Sequence, residues 1–138
     1  MRSLAVAVLL AGISSTAFAA DPANIVGTWV PTALSAATVG TAAAISATDK
    51  PATSHDARGA WGLTVDTQDG GAFVGTVTGP SGKPKPLVGA FRLDGKRFVI
   101  STTNGGGTGE IDGDQLEVCW SDNIPNLIAA NCALYKRQ

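Results

Sequence analysis

The side chains best suited to catalysis lie together in one short stretch, Thr53-Ser54-His55-Asp56. In a hydrolase triad, histidine takes a proton from the serine hydroxyl while aspartate orients the imidazole ring. That chemistry requires each side chain to face the next in space, and residues adjacent in sequence seldom do so. His55 is the only histidine in the chain. We therefore interpret it as a solvated loop residue, and the sequence predicts no enzyme.

Two further motifs could suggest ligand chemistry. The glycine-rich residues 104–109 lead into another predicted strand, whereas a phosphate-binding loop leads into a helix and carries Lys-Ser or Lys-Thr. Carboxylates cluster nearby, but their spacing is that of a hairpin with outward acidic residues rather than the ordered ligand series of a calcium loop. These carboxylates are Glu110, Asp112, Asp114 and Glu117. The sequence therefore predicts a turn and a hairpin here, without a metal or a cofactor.

The first 19 residues have the pattern of a cleavable secretory signal peptide. Arg2 supplies the positive charge, residues 4–13 are apolar, and Ala17 and Ala19 are the small residues that a signal peptidase requires. An apolar segment of about ten residues is too short to span a bilayer, which takes roughly 20. We therefore expect cleavage after Ala19 and a periplasmic or secreted product with no membrane span.

The two cysteines, Cys119 and Cys132, are expected to form a disulfide, because export places them in an oxidising compartment. A metal or redox site would need further ligands or a C-x-x-C spacing, and the sequence has neither. Without Arg2 the chain has nine basic and 11 acidic side chains. A chain of this charge, with no basic stripe, is not expected to bind nucleic acid.

From residue 60 onward, short alternating apolar and polar runs are separated by Asp-Gly and glycine-rich turns, which is typical of antiparallel strands and hairpins. With the β-branched run at residues 25–30, this gives eight successive strands and no convincing helix. Such a meander can close on itself and remove its exposed edges. The predicted fold class is all-β: an eight-stranded antiparallel up-and-down barrel, with a two-sheet β-sandwich as the alternative. Residues 20–138 are predicted to form this single domain.

Residues 33–58 differ from the rest of the chain, because they consist almost entirely of alanine, threonine, serine and glycine. So long a stretch with so little apolar surface to bury is typical of a mobile segment or of a lid. We predict a long loop between the first and second strands.

Gly27-Thr28-Trp29 at the first strand, the meander of about eight strands and a basic residue near the last position resemble the calycin barrels. This superfamily contains the lipocalins, the fatty-acid-binding proteins, the avidins and bacterial metalloprotease inhibitors. The resemblance implies that Trp29 lies at a closed end of the barrel and that Arg137 or Lys136 packs across its ring. It also implies that the long first loop covers the mouth of the barrel.

Two strand sequences, Phe73-Val74-Gly75-Thr76 and Pro86-Leu87-Val88-Gly89, are similar to strands of avidin. The avidin strand continues with a tyrosine that holds biotin, whereas this chain has Val77. The resemblance therefore does not imply biotin binding.

Aromatic residues on the apolar side of the predicted strands should point inward, and inward glycines at Gly75 and Gly89 should leave room beside them. Tyr135 has the opposite parity to Cys132, so it should face inward if the disulfide lies outside, with its hydroxyl as a polar anchor. The candidate ligand-binding residues are Trp61, Phe73, Phe91, Trp120 and Tyr135.

Two functions are consistent with these features. The first is an exported, non-enzymatic protein that binds a small hydrophobic or amphipathic ligand inside a calycin-like barrel. The second is a protein-interaction module, such as an inhibitor of an exported protease or a secreted factor that contacts a host or a cell surface. Residues 121–128, between the cysteines, are predicted to be a loop with aliphatic side chains. These side chains would either pack on the barrel or contact a protein partner, so the loop could serve either function.

Overall fold

The computed structural model describes residues 20–40, 52–57, 61–79 and 81–138. The predicted signal peptide and residues 41–51 and 58 of the predicted loop lie outside the described residues. The regular elements are strands: β1 (Gly27–Gly40), β2 (Ala52–Ser54), β3 (Gly62–Asp69), β4 (Ala72–Thr78), β5 (Pro84–Phe91), β6 (Arg97–Ser101), β7 (Gly105–Asp112), β8 (Gln115–Ile124) and β9 (Leu127–Arg137).

The strands form one closed antiparallel barrel. Each strand from β3 to β9 pairs with the next one along the chain, and β1 closes the ring by pairing with both β3 and β9. The short strand β2 is additional and pairs with β1 through residues 36–38. The prediction of an all-β, eight-stranded antiparallel barrel is therefore confirmed, and the sandwich alternative is wrong.

The disulfide joins two adjacent strands on the outside of the barrel. Cys119 of β8 lies directly opposite Cys132 of β9 in the register, and the two are bonded. Side chains alternate between the two faces of a strand. The buried side chain of Tyr135 therefore lies on the inner face, while Cys132 is exposed. Both the predicted disulfide and the predicted inward direction of Tyr135 are confirmed.

Some strand boundaries differ from the prediction. β1 continues to Gly40, although a loop was expected from residue 33, because β9 provides a partner along almost its whole length. The register of β1 with β9 shifts between Pro31 and Ala33, so that one residue of β1, Thr32, has no opposite residue on β9, as in a β-bulge.

The predicted loop at residues 121–128 instead extends the β8–β9 hairpin, with Asn126 in the left-handed conformation at the turn (φ 67°). Leu127 is buried and the neighbouring Ile128 is 60% exposed. Part of the predicted glycine-rich turn likewise belongs to β7, which begins at Gly105.

Residues 20–26 cross one end of the barrel, which we call the closed end. The Ala23 amide donates to the Gly95 carbonyl (2.8 Å), and the Gln68 amide group bonds with the backbone of both Ala23 and Ile25. Ile25 is completely buried by this arrangement. Trp29, also completely buried, donates its indole N–H to the Ile25 carbonyl (2.9 Å).

Arg137, from the end of β9, completes the closed end. Its guanidinium lies 4.3 Å from the centroid of the Trp29 ring and donates to the carbonyls of Val26 and Asn24, the latter at 2.6 Å. The expectation that a basic residue from the last strand covers Trp29 is met by Arg137. Lys136 is exposed on the outer face.

Candidate functional site

The five predicted ligand-binding residues lie in two separate groups. Phe73, Phe91 and Tyr135 are in the half of the barrel near the closed end. The rings of Phe73, Phe91 and Phe98 pack at tilted or edge-to-face angles with centroids 5.6–5.7 Å apart, which is favourable for aromatic pairs. These rings fill the interior and serve as core.

The predicted space beside the inward glycines is occupied. A Cβ atom at Gly89 would lie less than 3.0 Å from the ring of Phe73, and a Cβ atom at Gly75 would collide with the Thr64 carbonyl. Gly109 is covered in the same way by Phe98. The glycines therefore let rings and strands approach closely, and the expectation that Gly75 and Gly89 leave room is wrong.

Tyr135 lies between Leu116 of β8 and Pro31 of β1 in the register. Burial raises the pKa of its phenol from the usual value near 10 to about 12, because the surrounding apolar side chains disfavour the phenolate. Tyr135 is therefore a neutral core residue whose hydroxyl can act as a hydrogen-bond donor.

Trp61 and Trp120 form the second group, at the end of the barrel opposite the closed end, which we call the far end. Trp61 directly precedes β3, which runs from the far end to the closed end, and Trp120 lies on the inner face of β8. Both side chains are half-buried. Unlike the three phenylalanines, each indole has a charged side chain beside it.

Lys85 accompanies Trp61. It occupies the first inward position of β5, and its ammonium group lies 4.8 Å from the centroid of the Trp61 ring. The ring rests against Gly79, where an added Cβ would lie 2.7 Å from it. The ring is therefore held on one side by backbone and contacts a cation, an arrangement that stabilises both groups.

Asn104, in the turn between β6 and β7, is the next group along the rim. When its amide oxygen faces the ammonium, Oδ1 accepts a hydrogen bond from Lys85 Nζ at 3.2 Å. The Asn104 backbone N–H donates to the Thr102 hydroxyl (3.3 Å), which fixes the turn. Asn104 thus links β5 to the start of β7.

Asp122 accompanies Trp120 on the same strand. Its Oδ1 accepts a hydrogen bond from the Trp120 indole N–H at 3.0 Å. Both groups pack against Gly105, where a Cβ would collide with the Asp122 carboxylate. Asp122 therefore lies beside the residue that follows Asn104. We call Trp61, Lys85, Asn104, Trp120 and Asp122 the rim cluster.

The two charges of the rim cluster have no ion-pair partner among the residues that the structure describes. Within the described ranges, no carboxylate forms an ion pair with Lys85 and no cationic group forms one with Asp122. The ion pairs described elsewhere are Arg97–Asp94, at 2.6 Å, and Arg137–Asp114, at 3.3 Å. A bound molecule could therefore provide each rim charge with its partner.

Small side chains line the strands beside Trp120 and Asp122. In the register, Trp120 lies opposite Asn131 and Asp122 lies opposite Ala129, while β1 places Ala36 and Thr38 next to them. Asn131, Ala36 and Thr38 are half-buried. The inner face of β8, β9 and β1 is thus less bulky here than near the closed end.

Sequence reasoning found the two tryptophans but missed their polar partners. Neither Lys85 nor Asp122 is among the predicted site residues, because both flank turn signals in the sequence. The strand parity would have identified them, since Lys85 is two residues from the buried Leu87 and Asp122 is two residues from Trp120.

Among the described residues, the other motifs singled out in the sequence do not form a comparable cluster of side chains. His55 is exposed, and the Asp56 amide donates to the Ser54 hydroxyl at 3.4 Å. No three metal-ligating side chains come together among the residues that the structure describes. A recess of about 260 Å³ lies between side chains such as Arg97 and Glu117, on the outer face of the barrel.

No helix in the described ranges is long and apolar enough to cross a membrane. Comparison of the chain with protein-family models, with curated proteins and with solved structures finds no match.

Proposed function

We propose that this chain is an exported, non-enzymatic binding protein that holds a small amphipathic molecule at the far end of its barrel. The observation that carries the proposal is the pair of half-buried indoles at one end, each with an unpaired charge beside it. Tryptophan offers a large apolar surface of defined shape, and nearby polar groups orient a ligand on it.

The packing of the barrel supports a site near the rim rather than one that extends through the interior. A ligand in the half of the barrel near the closed end would have to displace Phe73, Phe91 or Tyr135. Loss of such packing lowers stability by several kcal/mol per large side chain, about 3–5 kcal/mol for a phenylalanine removed entirely. We therefore propose that Trp61 and Trp120 contact the ligand and that the other three predicted residues form the support beneath it.

Two observations on the described residues support export. The Ala20 amide donates to the Leu93 carbonyl at 3.3 Å, and Ala20 is the residue that cleavage after Ala19 would make the N-terminus. The disulfide between Cys119 and Cys132 is also typical of proteins outside the cytoplasm. Fractionation of cells followed by N-terminal sequencing tests this part of the proposal. A cytoplasmic protein that retains residues 1–19 would contradict it.

A protein-interaction module is the second candidate, and the outer face of β4, β5 and β6 favours it. Val74 lies opposite Val88, and Val99 is on the neighbouring strand; these side chains are 48%, 54% and 46% exposed. Adjacent exposed valines form an apolar area that a protein partner could cover.

Native mass spectrometry of protein purified from its own cells distinguishes the two candidates. We expect a small molecule to remain bound to the wild type and to the outer-face variant Val88→Thr, but to be lost from Trp61→Ala. An empty wild-type protein that binds an exported protein, with binding abolished by Val88→Asp and unaffected by Trp61→Ala, would overturn the proposal in favour of the second candidate.

A further inference from the structure

The two unpaired charges of the rim cluster specify more than an amphipathic ligand. We infer that the ligand is a small zwitterion with an apolar body, whose carboxylate binds Lys85 and whose ammonium group binds Asp122. This inference rests on the proposed function. An aromatic α-amino acid is the simplest molecule of this class. The apolar body would then lie against Trp61 and Trp120.

The surroundings of Lys85 leave its ammonium partly unsatisfied. An ammonium group has three donors, and the described contacts are the Asn104 amide oxygen at 3.2 Å and the face of the Trp61 ring. Both are neutral. A half-buried cation without a counter-ion is a favourable site for an anion, because pairing restores the interaction that burial takes away.

The Asp122 carboxylate, in turn, has acceptor positions to which no described group donates. A carboxylate has about four acceptor positions, and the described partner is the single Trp120 indole N–H. That hydrogen bond holds the carboxylate next to Gly105, a residue that has no side chain of its own. A ligand ammonium is the group that matches the remaining acceptors in charge and in hydrogen bonding.

The spacing of the two charges suits a compact ligand. Lys85 contacts the side chain of Asn104, and Asp122 contacts Gly105, the next residue and the first of β7. Consecutive Cα atoms are about 3.8 Å apart. The two charges therefore lie beside two consecutive residues without pairing with each other, one at the Asn104 side chain and one at Gly105, and we infer that one small molecule reaches both.

A singly charged ligand fits the cluster less well. A carboxylic acid without an amine would place its anion near Asp122, and an amine without an acid would place its cation near Lys85. Repulsion between like charges opposes binding, so the pair of side chains discriminates against both types. A zwitterion avoids both repulsions because its net charge is zero.

Three probes that share a phenylethyl group test the inference by isothermal titration calorimetry: phenylalanine, phenylpropanoate, which lacks the amine, and phenylethylamine, which lacks the carboxylate. We expect phenylalanine to bind roughly tenfold or more tightly than either of the others, since each loses one charged hydrogen bond. Lys85→Met should weaken phenylalanine binding by a similar factor and leave phenylethylamine no weaker than before.

Asp122→Asn is the complementary variant, because an amide oxygen can still accept from the Trp120 indole while the charge is lost. It should weaken phenylalanine and leave phenylpropanoate unchanged or tighter. Lys83→Met is the matched control: this exposed lysine lies in the β4–β5 turn, two residues from Lys85, and its loss should change no affinity.

Two results separate the inference from the proposed function. Equal binding of phenylalanine and phenylpropanoate, with no effect of Asp122→Asn, would overturn the zwitterion while leaving a binding site at the rim. Failure of all three probes would also overturn it, and native mass spectrometry would then show whether a different molecule occupies the Trp61 site or whether the protein is empty.

Discussion

The guanidinium of Arg137 lies over the indole of Trp29, 4.3 Å from the ring centroid, and also donates to two carbonyls of the segment that precedes β1. The last strand is thereby joined to residues 24–26. A single side chain thus covers the buried tryptophan and holds the segment that closes this end of the barrel.

Replacement of Arg137 by alanine should therefore lower the free energy of unfolding by about 2–3 kcal/mol, because charged hydrogen bonds and a cation–π contact are lost together. Urea unfolding followed by tryptophan fluorescence measures the change. Lys136→Ala is the control, since that side chain is exposed, and it should change stability by less than about 0.5 kcal/mol. Equal effects of the two substitutions would contradict this role of Arg137.

Gly89→Ala should destabilise the barrel by about 1–3 kcal/mol, because the new methyl group would overlap the ring of Phe73. Gly71→Ala is the matched control: its Cβ would meet only the Phe91 Cβ, at an ordinary 3.9 Å. The double variant Phe73→Leu with Gly89→Ala should lose less than the sum of the single effects. Strict additivity in urea unfolding would show that the ring and the glycine are not coupled.

The Cys119–Cys132 disulfide closes a short loop with a sequence separation of 13. On the chain-entropy model, its removal should cost about 3 kcal/mol. Cys119→Ser with Cys132→Ser should therefore lower the melting temperature, and a reducing agent should do the same to the wild type because Cys132 is exposed. Ligand binding at the rim should persist in the folded double variant. An unchanged melting temperature would contradict the prediction.

Tyr135 should make stability depend on pH in alkaline solution. Its pKa is about 12 in the folded protein, above the ordinary value near 10, so the folded state retains the proton longer than the unfolded chain. The resulting stability is fully present below pH 10 and is lost as the pH rises towards 12, a change of roughly 2–3 kcal/mol.

The chain has only this tyrosine, so the absorbance of tyrosinate reports its titration directly. Tyr135→Phe removes the ionisable group and should show a smaller loss of stability between pH 10 and pH 12. A phenol that titrates near pH 10 in the folded protein would be incompatible with the buried position of Tyr135.

The barrel could be predicted from the sequence because each strand has its own alternating pattern and each hairpin its own turn residues. Leu63 and Val65, like Phe98 and Ile100, alternate with outward polar or smaller residues, and all four are buried as the alternation requires. Asp69-Gly70 and Asp112-Gly113 marked their turns correctly, with both glycines in the left-handed conformation. Local patterns of this kind survive in the fold because neighbouring strands are consecutive.

Local sequence patterns could not predict the long first strand or the rim cluster. Residues 33–40 have weak strand propensity, and they are strand because β9, about a hundred positions later, pairs with them. The rim charges depend on which strands flank the β6–β7 turn: Lys85 lies on β5, which pairs with β6, and Asp122 lies on β8, which pairs with β7. The filled interior was missed for a similar reason, since Gly89 is covered by a ring from the strand beside it.

The closed end also determines where the protein can be attached to something else. Ala20 bonds to the Leu93 carbonyl and the Gln138 amide bonds to the Thr28 carbonyl, so both positions lie at this end of the barrel. A tag, a fused domain or a surface linker joined at either position would therefore leave from the side opposite Trp61 and Trp120. Immobilised in this way, the protein would present its rim cluster outward to the surrounding solution.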